Sequence, residues 1–282
     1  MLFTLITSIL NVILPFLIAH RSRGFWLNSH YFYEQPAVRP TFEYLLVGDT
    51  EDPYHTVICG SGNNLTKEFE NQCREIQLQE YDPNNDGKTD VINFKIKLDL
   101  VENHTITSII LILGLDFHLM TICPLQMQTF ALVSKEFNNP TSGVKYNAYL
   151  ELVQTSHLSC LRHHLDSKYN ISLLANTDFS EEQAIDIMIN SYFMREVTTQ
   201  VKPYFVRSQH GYTGTMKIDL FLKIPEMKIL YTPSFLQEVK WAWPQYLSLA
   251  ITFYWIFNRI KRFVFNNRLL MAWEIIPWKK IP

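Results

Sequence analysis

Two charge-free apolar runs stand near opposite ends of the 282-residue chain, and the stretch between them is amphipathic. The first, Leu2 to Ala19, reads LFTLITSILNVILPFLIA and stops at His20, Arg21 and Arg23. As a helix rising about 1.5 Å per residue it covers roughly 27 Å, close to a hydrocarbon core of about 30 Å. Asn11 and Pro15 are its imperfections. A spanning helix tolerates proline because neighbouring groups re-satisfy the freed backbone. The competing reading is a cleaved signal peptide, which carries basic residues before its apolar core and small residues at its exit. No Lys or Arg precedes this run and Arg21-Ser22-Arg23 follows it. Residues 1–20 are therefore read as a first transmembrane helix.

The second run, Trp241 to Phe257, reads WAWPQYLSLAITFYWIF. Trp241, Trp243 and Tyr246 sit at one end and Tyr254 and Trp255 near the other, the aromatic belt of a helix that meets two interfaces. A buried core helix has no reason for that layout. Residues 241–257 are read as a second transmembrane helix and 258–282 as a basic cytoplasmic tail. Arg259, Lys261, Arg262 and Arg268 should stay cytosolic by the positive-inside rule, although Arg21 and Arg23 argue mildly the other way. Both termini then face the cytosol, and residues 21–240 form an extracellular or lumenal domain. Arg259, Lys261 and Arg262 can also hold anionic lipid head groups, at about 1 kcal/mol each.

The middle segment suits that side of a membrane. It carries three glycosylation sequons, at Asn64, Asn103 and Asn170. All four cysteines, Cys59, Cys73, Cys123 and Cys160, lie within it. An even count outside the cytosol suggests up to two disulfides, with three pairings open. Cys59–Cys73, which closes a short loop, is the first guess; four buried free thiols are the other reading.

Strand signals outnumber helix signals here. Phe42–Val47, Val91–Leu100, Thr105–Leu113, Thr129–Lys135, Lys145–Val153, Lys202–Arg207 and Met216–Ile224 are short and rich in β-branched or aromatic residues. From Asn93 to Leu100 apolar residues take every second place, which sets them on one face of a half-buried sheet. Ile109 to Leu113 reads as buried on both faces. One helix fits Ser180–Arg195, with Ser180 as cap and Glu181 and Glu182 in the first turn. The fold expected is mainly β, a β-sandwich-like ectodomain with one or two helices, plus two transmembrane α-helices.

The sharpest local pattern is Asp82-Pro83-Asn84-Asn85-Asp86-Gly87-Lys88-Thr89-Asp90. Asp82, Asn84, Asp86 and Asp90 place oxygens at loop positions 1, 3, 5 and 9, Lys88 offers its carbonyl at 7, and Gly87 allows the turn. Position 12 is Asn93, without the bidentate glutamate of a helix–loop–helix site. The readings are a structural calcium loop between strands, or an Asx-rich hairpin turn with no ion. His163 and His164 beside Cys160 and Asp166 use zinc-ligand residue types, but adjacent histidines point different ways. No nucleophile elbow, phosphate loop or dinucleotide fingerprint is present, so neither an enzyme nor a small-molecule substrate is expected. A net charge of -2 gives no reason to expect nucleic acid.

Several blocks resemble one family. Arg21-Ser22-Arg23-Gly24-Phe25-Trp26-Leu27 and Tyr33-Glu34-Gln35-Pro36-Ala37-Val38-Arg39 come first. Asp86–Asp90 leading into Phe94-Lys95 follows, then Leu158-Ser159-Cys160 with Tyr169–Ser172. The strongest block runs Tyr231–Phe235, Glu238–Trp243, Gln245-Tyr246, Arg259–Lys261 and Phe263–Phe265. In this order they resemble the transmembrane protein 231 family over nearly the whole chain. That resemblance implies a component of the ciliary transition zone, in the Meckel-syndrome or Tectonic-like complex. The complex is a membrane diffusion barrier at the cilium base, on which cilium assembly and Hedgehog-type signalling depend. Implied partners are Tectonic proteins, B9-domain proteins and other Meckel-syndrome proteins. The family carries a cytosolic stretch before its first span, whereas this sequence opens on the run itself. A family sequon is replaced by Glu196-Val197-Thr198-Thr199. The alternative function is a receptor-like ectodomain that binds an extracellular ligand.

Overall fold

The computed structural model describes residues 2–21, 30–52, 56–61, 73–100, 105–160, 165–172, 174, 184–211 and 214–269. They form two units, one of Tyr31–Thr232 and one that contains both long helices.

The first unit is mainly β. One sheet has the order β3 (Thr56–Gly60), β2 (Ala37–Thr50), β6 (Ile106–Leu119), β7 (Leu125–Glu136). A second has the order β10 (Val197–His210), β8 (Thr141–Gln154), β11 (Thr215–Lys223), β5 (Val91–Asp99), β4 (Cys73–Tyr81). A smaller sheet joins β1 (His30–Glu34), β12 (Met227–Thr232) and β9 (Leu158–Ser159). In the two larger sheets the pairing is antiparallel except for β11 with β8, and in the small sheet β12 runs parallel to β9.

Alternation explains the main core. Ile92, Phe94, Ile96 and Leu98 of β5 are buried while their odd-numbered neighbours are half-exposed. Register sets them beside Leu222, Leu220, Ile218 and Met216 of β11. The opposite wall is Leu111, Leu113, Leu115 and Phe117 of β6 with Ala131 and Val133 of β7. Burying such a side chain stabilises by about 1.5–3 kcal/mol, so this interface between two sheets dominates the fold.

Strand β6 has a second buried face. Ile112, with Leu45 and Phe130, packs under helix α2 (Ala184–Phe193) through Met188 and Tyr192. This is why residues 109–113 read as a continuous apolar run: one parity faces the sandwich core, the other the helix. The helix begins at Ala184 among described residues; the expected cap at Ser180, with Glu181 and Glu182, lies outside them.

Strand β2 is bulged between Pro40 and Tyr44, with Phe42 at φ 63° and exposed. Gly114 lies beneath the bulge. A Cβ there would stand 2.5 Å from Thr41 Oγ1 and 3.1 Å from the Glu43 carbonyl oxygen, so the close approach of the two strands requires glycine.

Two disulfides staple the sheets. Cys59 on edge strand β3 joins Cys73 at the start of edge strand β4, and Cys123 in the β6–β7 connection joins Cys160 beyond β9. No cysteine is free.

The second unit pairs α1 (Leu2–Arg21) with α3 (Phe235–Asn266). Helix α3 starts ahead of the expected Trp241 and continues through Arg259, Lys261 and Arg262, so these basic residues are helical and the expected tail is helical at its start.

Candidate functional site

The helix pair is antiparallel. Phe3, at the start of α1, meets Phe265, near the end of α3, edge-on with centroids 6.2 Å apart. At the other end, Phe16 lines an apolar groove of about 310 Å³ with Phe235, Val239, Trp243 and Tyr246. On α1, Thr7, Pro15 and Ala19 are buried and Asn11 is half-buried. Their spacing of four residues makes one stripe along the helix. Among the described side chains of α3, Ala242 is the buried one. Small side chains at such a seam let two backbones approach closely, the means by which helices associate where no water drives them together.

Away from the seam the pair is apolar and uncovered. Leu5, Ile9, Val12, Ile13 and Leu17 of α1 are each about half exposed or more, as are Ile251, Tyr254 and Trp255 of α3. Hydroxyls of both helices, in the seam and on the uncovered faces, bond along their own helices. Thr7 donates to the carbonyls of Phe3 and Thr4, Ser8 to Thr4, Ser248 to Gln245 and Thr252 to Ser248. That leaves few polar atoms for a surrounding hydrocarbon to desolvate. Asn11 Oδ1 is buried in the seam without a hydrogen-bond partner among the described residues.

By length and composition, α1 is the one helix among the described residues that is long and apolar enough to cross a membrane. Helix α3 is longer but more polar. Its first turns hold Gln237, Glu238 and Lys240 and its last turns Arg259, Lys261 and Arg262, around an uncharged centre rich in Trp, Tyr and Phe. Such aromatics favour the bilayer interface more than its middle.

The family profile of transmembrane protein 231 matches residues 1–274. The chain belongs to that family. Transmembrane protein 231 of Homo sapiens is 33% identical over 95% of this chain and 86% of its own length. The protein of the same name from Xenopus tropicalis is 34% identical over 95% and 87%, and that from Mus musculus 32% over 96% and 87%. A proton-activated chloride channel solved by cryo-EM aligns over 93% of this chain and 97% of its own at 6% identity, with a TM-score of 0.28. At that score it bears on neither fold nor function. Membership of the transmembrane protein 231 family makes this a membrane protein, and the name carries no catalytic activity.

The remaining residues singled out in the sequence fall as follows. Asn170 is exposed, and Ser172 of its sequon donates to Glu43 Oε2 at 2.6 Å. Asn64 and Asn103 lie outside the described residues, as do His163 and His164. Cys160 is held in a disulfide, which removes it as a zinc thiolate.

The Asp82–Asp90 loop is built as a turn. Asp82 Oδ2 accepts from the Gly87 amide at 2.9 Å, Asn84 Oδ1 from Asp86 at 3.1 Å, and Asp86 Oδ1 from Lys88 at 2.8 Å. Asn84 to Asp86 and Asp86 to Lys88 are Asx turns, Asp82 reaches five residues on to Gly87, and Asn85 and Gly87 stand at positive φ. Asp90 faces elsewhere: its Oδ1 accepts from Gln35 Nε2 at 2.6 Å, while Lys88 Nζ donates to the Gln35 carbonyl at 2.7 Å. In this arrangement Asp82, Asn84, Asp86, Lys88 and Asp90 form a backbone-capping turn clasped to Gln35, the ion-free of the two readings of that stretch. Among the described residues no group of three or more His, Cys, Asp and Glu converges as a metal site would.

Sequence reasoning overlooked Glu34. It is buried, and its carboxylate accepts from the amides of Met120 and Thr121, at 2.9 and 3.2 Å, and from the Thr121 hydroxyl. In the sequence it stood only within the Tyr33–Arg39 block, which is silent about a partner 86 residues away.

Proposed function

We propose that this protein is a two-span structural component of a ciliary transition-zone complex. Its helices fix it in the bilayer with both termini cytosolic, and the β domain stands outside as the contact surface. In this role it acts in the diffusion barrier between cilium and plasma membrane, on which cilium assembly and Hedgehog-type signalling depend. Its partners are Tectonic proteins, B9-domain proteins and other Meckel-syndrome proteins. The supporting observation is the antiparallel pairing of α1 and α3, with lipid-compatible side chains on the uncovered faces. A lateral barrier needs proteins anchored in the membrane and held to one another, and no bond chemistry. Arg259, Lys261 and Arg262 on the last turns of α3 add attraction to anionic head groups. Family membership supports the membrane assignment.

Two measurements test this. Full-length protein in sealed microsomes should keep residues 31–232 protected from added protease, and Asn170→Gln should remove one glycosidase-sensitive gel shift. Digestion of the β domain without detergent would remove the two-span topology. Proximity labelling in ciliated cells should confine the label to the cilium base. A uniform plasma-membrane pattern would remove the transition-zone role while leaving the topology intact.

A further inference from the structure

The outer faces of the two large sheets differ. Helix α2 packs on that of β2, β6 and β7. The outer face of the five-stranded sheet is polar and basic, on a chain whose net charge is -2. Register fixes which side chains share it, because residues opposite one another in a ladder point to the same face. Arg207 on β10 stands opposite Lys145 on β8, and Lys217 on β11 stands opposite Lys97 on β5, with Lys95 two residues away. Lys145, Arg207 and Lys217 are exposed, and Lys95 and Lys97 are half-buried. Strands lie about 4.8 Å apart, so these cations form a band roughly 14 Å long across four adjacent strands. The carboxylates inside the band are Asp219, beside Lys145 and Lys95, and Glu75, beside Lys97. Among the described residues none of the five cations is in an ion pair, whereas Lys202 on the same face is held by Glu151 at 3.3 Å.

We infer that this band binds a sulfated glycosaminoglycan laid across the strands, a reading that rests on the β domain standing outside the membrane. Like charges directly opposite in a sheet destabilise it, and the fold keeps two such pairs, Arg207–Lys145 and Lys217–Lys97. An anion that meets both pairs turns that repulsion into attraction. Asp219 and Glu75 weaken the field but leave the cations in excess. The band is mainly lysine, which is depleted where proteins dock on one another. A mobile, hydrated ammonium suits a flexible chain of repeating sulfates better than a fixed protein surface. At one end of the band lies a hollow of about 160 Å³, lined by Lys95, Lys97 and Lys217 with Glu75, Gln77 and Asp219. It is smaller and more polar than the sites that enclose drug-sized ligands, about 300–1,000 Å³ and mostly apolar. A single anionic group can sit there among three ammonium groups. Basic clusters of this kind are the recognition element for heparin-type chains. Anionic phospholipid offers similar charge, but it belongs to the cytoplasmic leaflet, across the bilayer from this domain.

Binding of the full-length, detergent-solubilised protein to immobilised heparin tests the band. Lys145→Gln with Arg207→Gln should weaken binding about ten-fold or more. The same pair should leave the thermal midpoint unchanged or raise it, because it removes a repulsion, whereas a merely structural role would lower it. Lys168→Gln with Lys228→Gln takes the same charge from elsewhere on the β domain, and Arg259→Gln with Lys261→Gln takes it from α3. Each of these control pairs should change binding by less than about two-fold, since separated exposed charges are screened. Heparin stripped of its sulfates should not bind. Failure of the native chain to bind heparin, binding indifferent to Lys145→Gln with Arg207→Gln, or an equal loss from a control pair would overturn the inference. Capture by phosphatidylserine vesicles and not by heparin would also overturn it and assign the face to a lipid surface. These readouts use purified protein, so they separate from the protease test in sealed microsomes. A protected β domain without heparin binding condemns the glycan alone; a digested β domain with heparin binding intact condemns the topology, and with it the glycan as partner.

Discussion

The phenol oxygen of Tyr192 accepts a hydrogen bond from the backbone amide of Thr199 at 2.7 Å, joining α2 to the start of β10 beneath the helix. The Thr199 hydroxyl lies 2.8 Å from the same phenol and donates to the Phe130 carbonyl at 3.1 Å. Tyr192 has no solvent exposure, and its ring overlies Phe130 with centroids 3.8 Å apart. Tyr192→Phe keeps the ring and strands the Thr199 amide, for a cost of about 1–3 kcal/mol. The helix carries no other large polar anchor into this pocket, so the loss should appear in full in thermal unfolding of the detergent-solubilised chain. An unchanged midpoint would show that the pocket admits water.

The same phenol sets an alkaline limit. Burial holds Tyr192 above its ordinary value of 10.0, with the Thr199 hydrogen bonds pulling less strongly the other way. Burial also raises Tyr146. A raised value in the folded state favours the neutral phenol, so this stability is fully present below about pH 10 and is lost as pH rises through the folded-state value. The midpoint should stay flat from these groups below pH 10 and fall above it. Tyr192→Phe should flatten that fall relative to its own lower plateau.

The disulfides should rank by the loop they close. Cys59–Cys73 spans a sequence separation of 14 and Cys123–Cys160 one of 37. Chain entropy puts the first near 3 kcal/mol and the second nearly 1 kcal/mol higher. Paired serine substitutions, followed by denaturant unfolding, measure both. A reversed order would mean that the cross-strand β3–β4 staple acts through the native edge strands more than through the unfolded chain.

Much of the sandwich was legible because half-buried strands write their burial into every second residue. The β5 run does so from Ile92 to Leu98, and the doubled burial of β6 shows as the unbroken Ile109–Leu113. Each of the seven expected strands lies within or along an observed one, with ends extended by ladder hydrogen bonds that leave no trace in composition. Strand β4 was not legible. Arg74, Glu75, Gln77, Gln79 and Glu80 have no apolar period, and only pairing with β5 makes the segment a strand. The small sheet was missed for a related reason: β1 and β12 are held by partners far away in sequence. In the helix pair the apolar runs were plain, but the seam of Thr7, Asn11, Pro15 and Ala19 emerges only when α3 lies against it. The Asp82–Asp90 stretch was legible as a turn but not as a site, because the same Asp and Asn spacing serves an ion or the turn's own amides, and spacing alone does not choose.

Glu34 is a buried carboxylate that ties β1 to the β6–β7 connection. Its carboxylate secures the Met120–Thr121 amides beside the Cys123 staple. Glu34→Ala removes the acceptor these donors share, and because Met120 and Thr121 are exposed, water can take its place in part, at about 0.5–1.5 kcal/mol for each bond lost. Glu34→Gln keeps one acceptor oxygen and should cost less. Comparable losses for both substitutions, read from denaturant midpoints, would mean that the negative charge matters more than the hydrogen bonds.

The Asp82–Asp90 turn should be indifferent to calcium. Its oxygens already accept from the Gly87, Asp86 and Lys88 amides, and Asp90 is engaged by Gln35. An ion would have to share those oxygens and draw Asp90 away from Gln35 and round the loop. Thermal midpoints with chelator and with millimolar calcium should therefore coincide. What the turn does need is its backbone: Gly87 sits at φ 82° with open space around it, so Gly87→Ala meets no clash and suffers only the left-handed penalty. That penalty is about 1–2 kcal/mol. A calcium-dependent rise in midpoint, abolished by Asp86→Asn, would instead show that the loop reorganises around an ion.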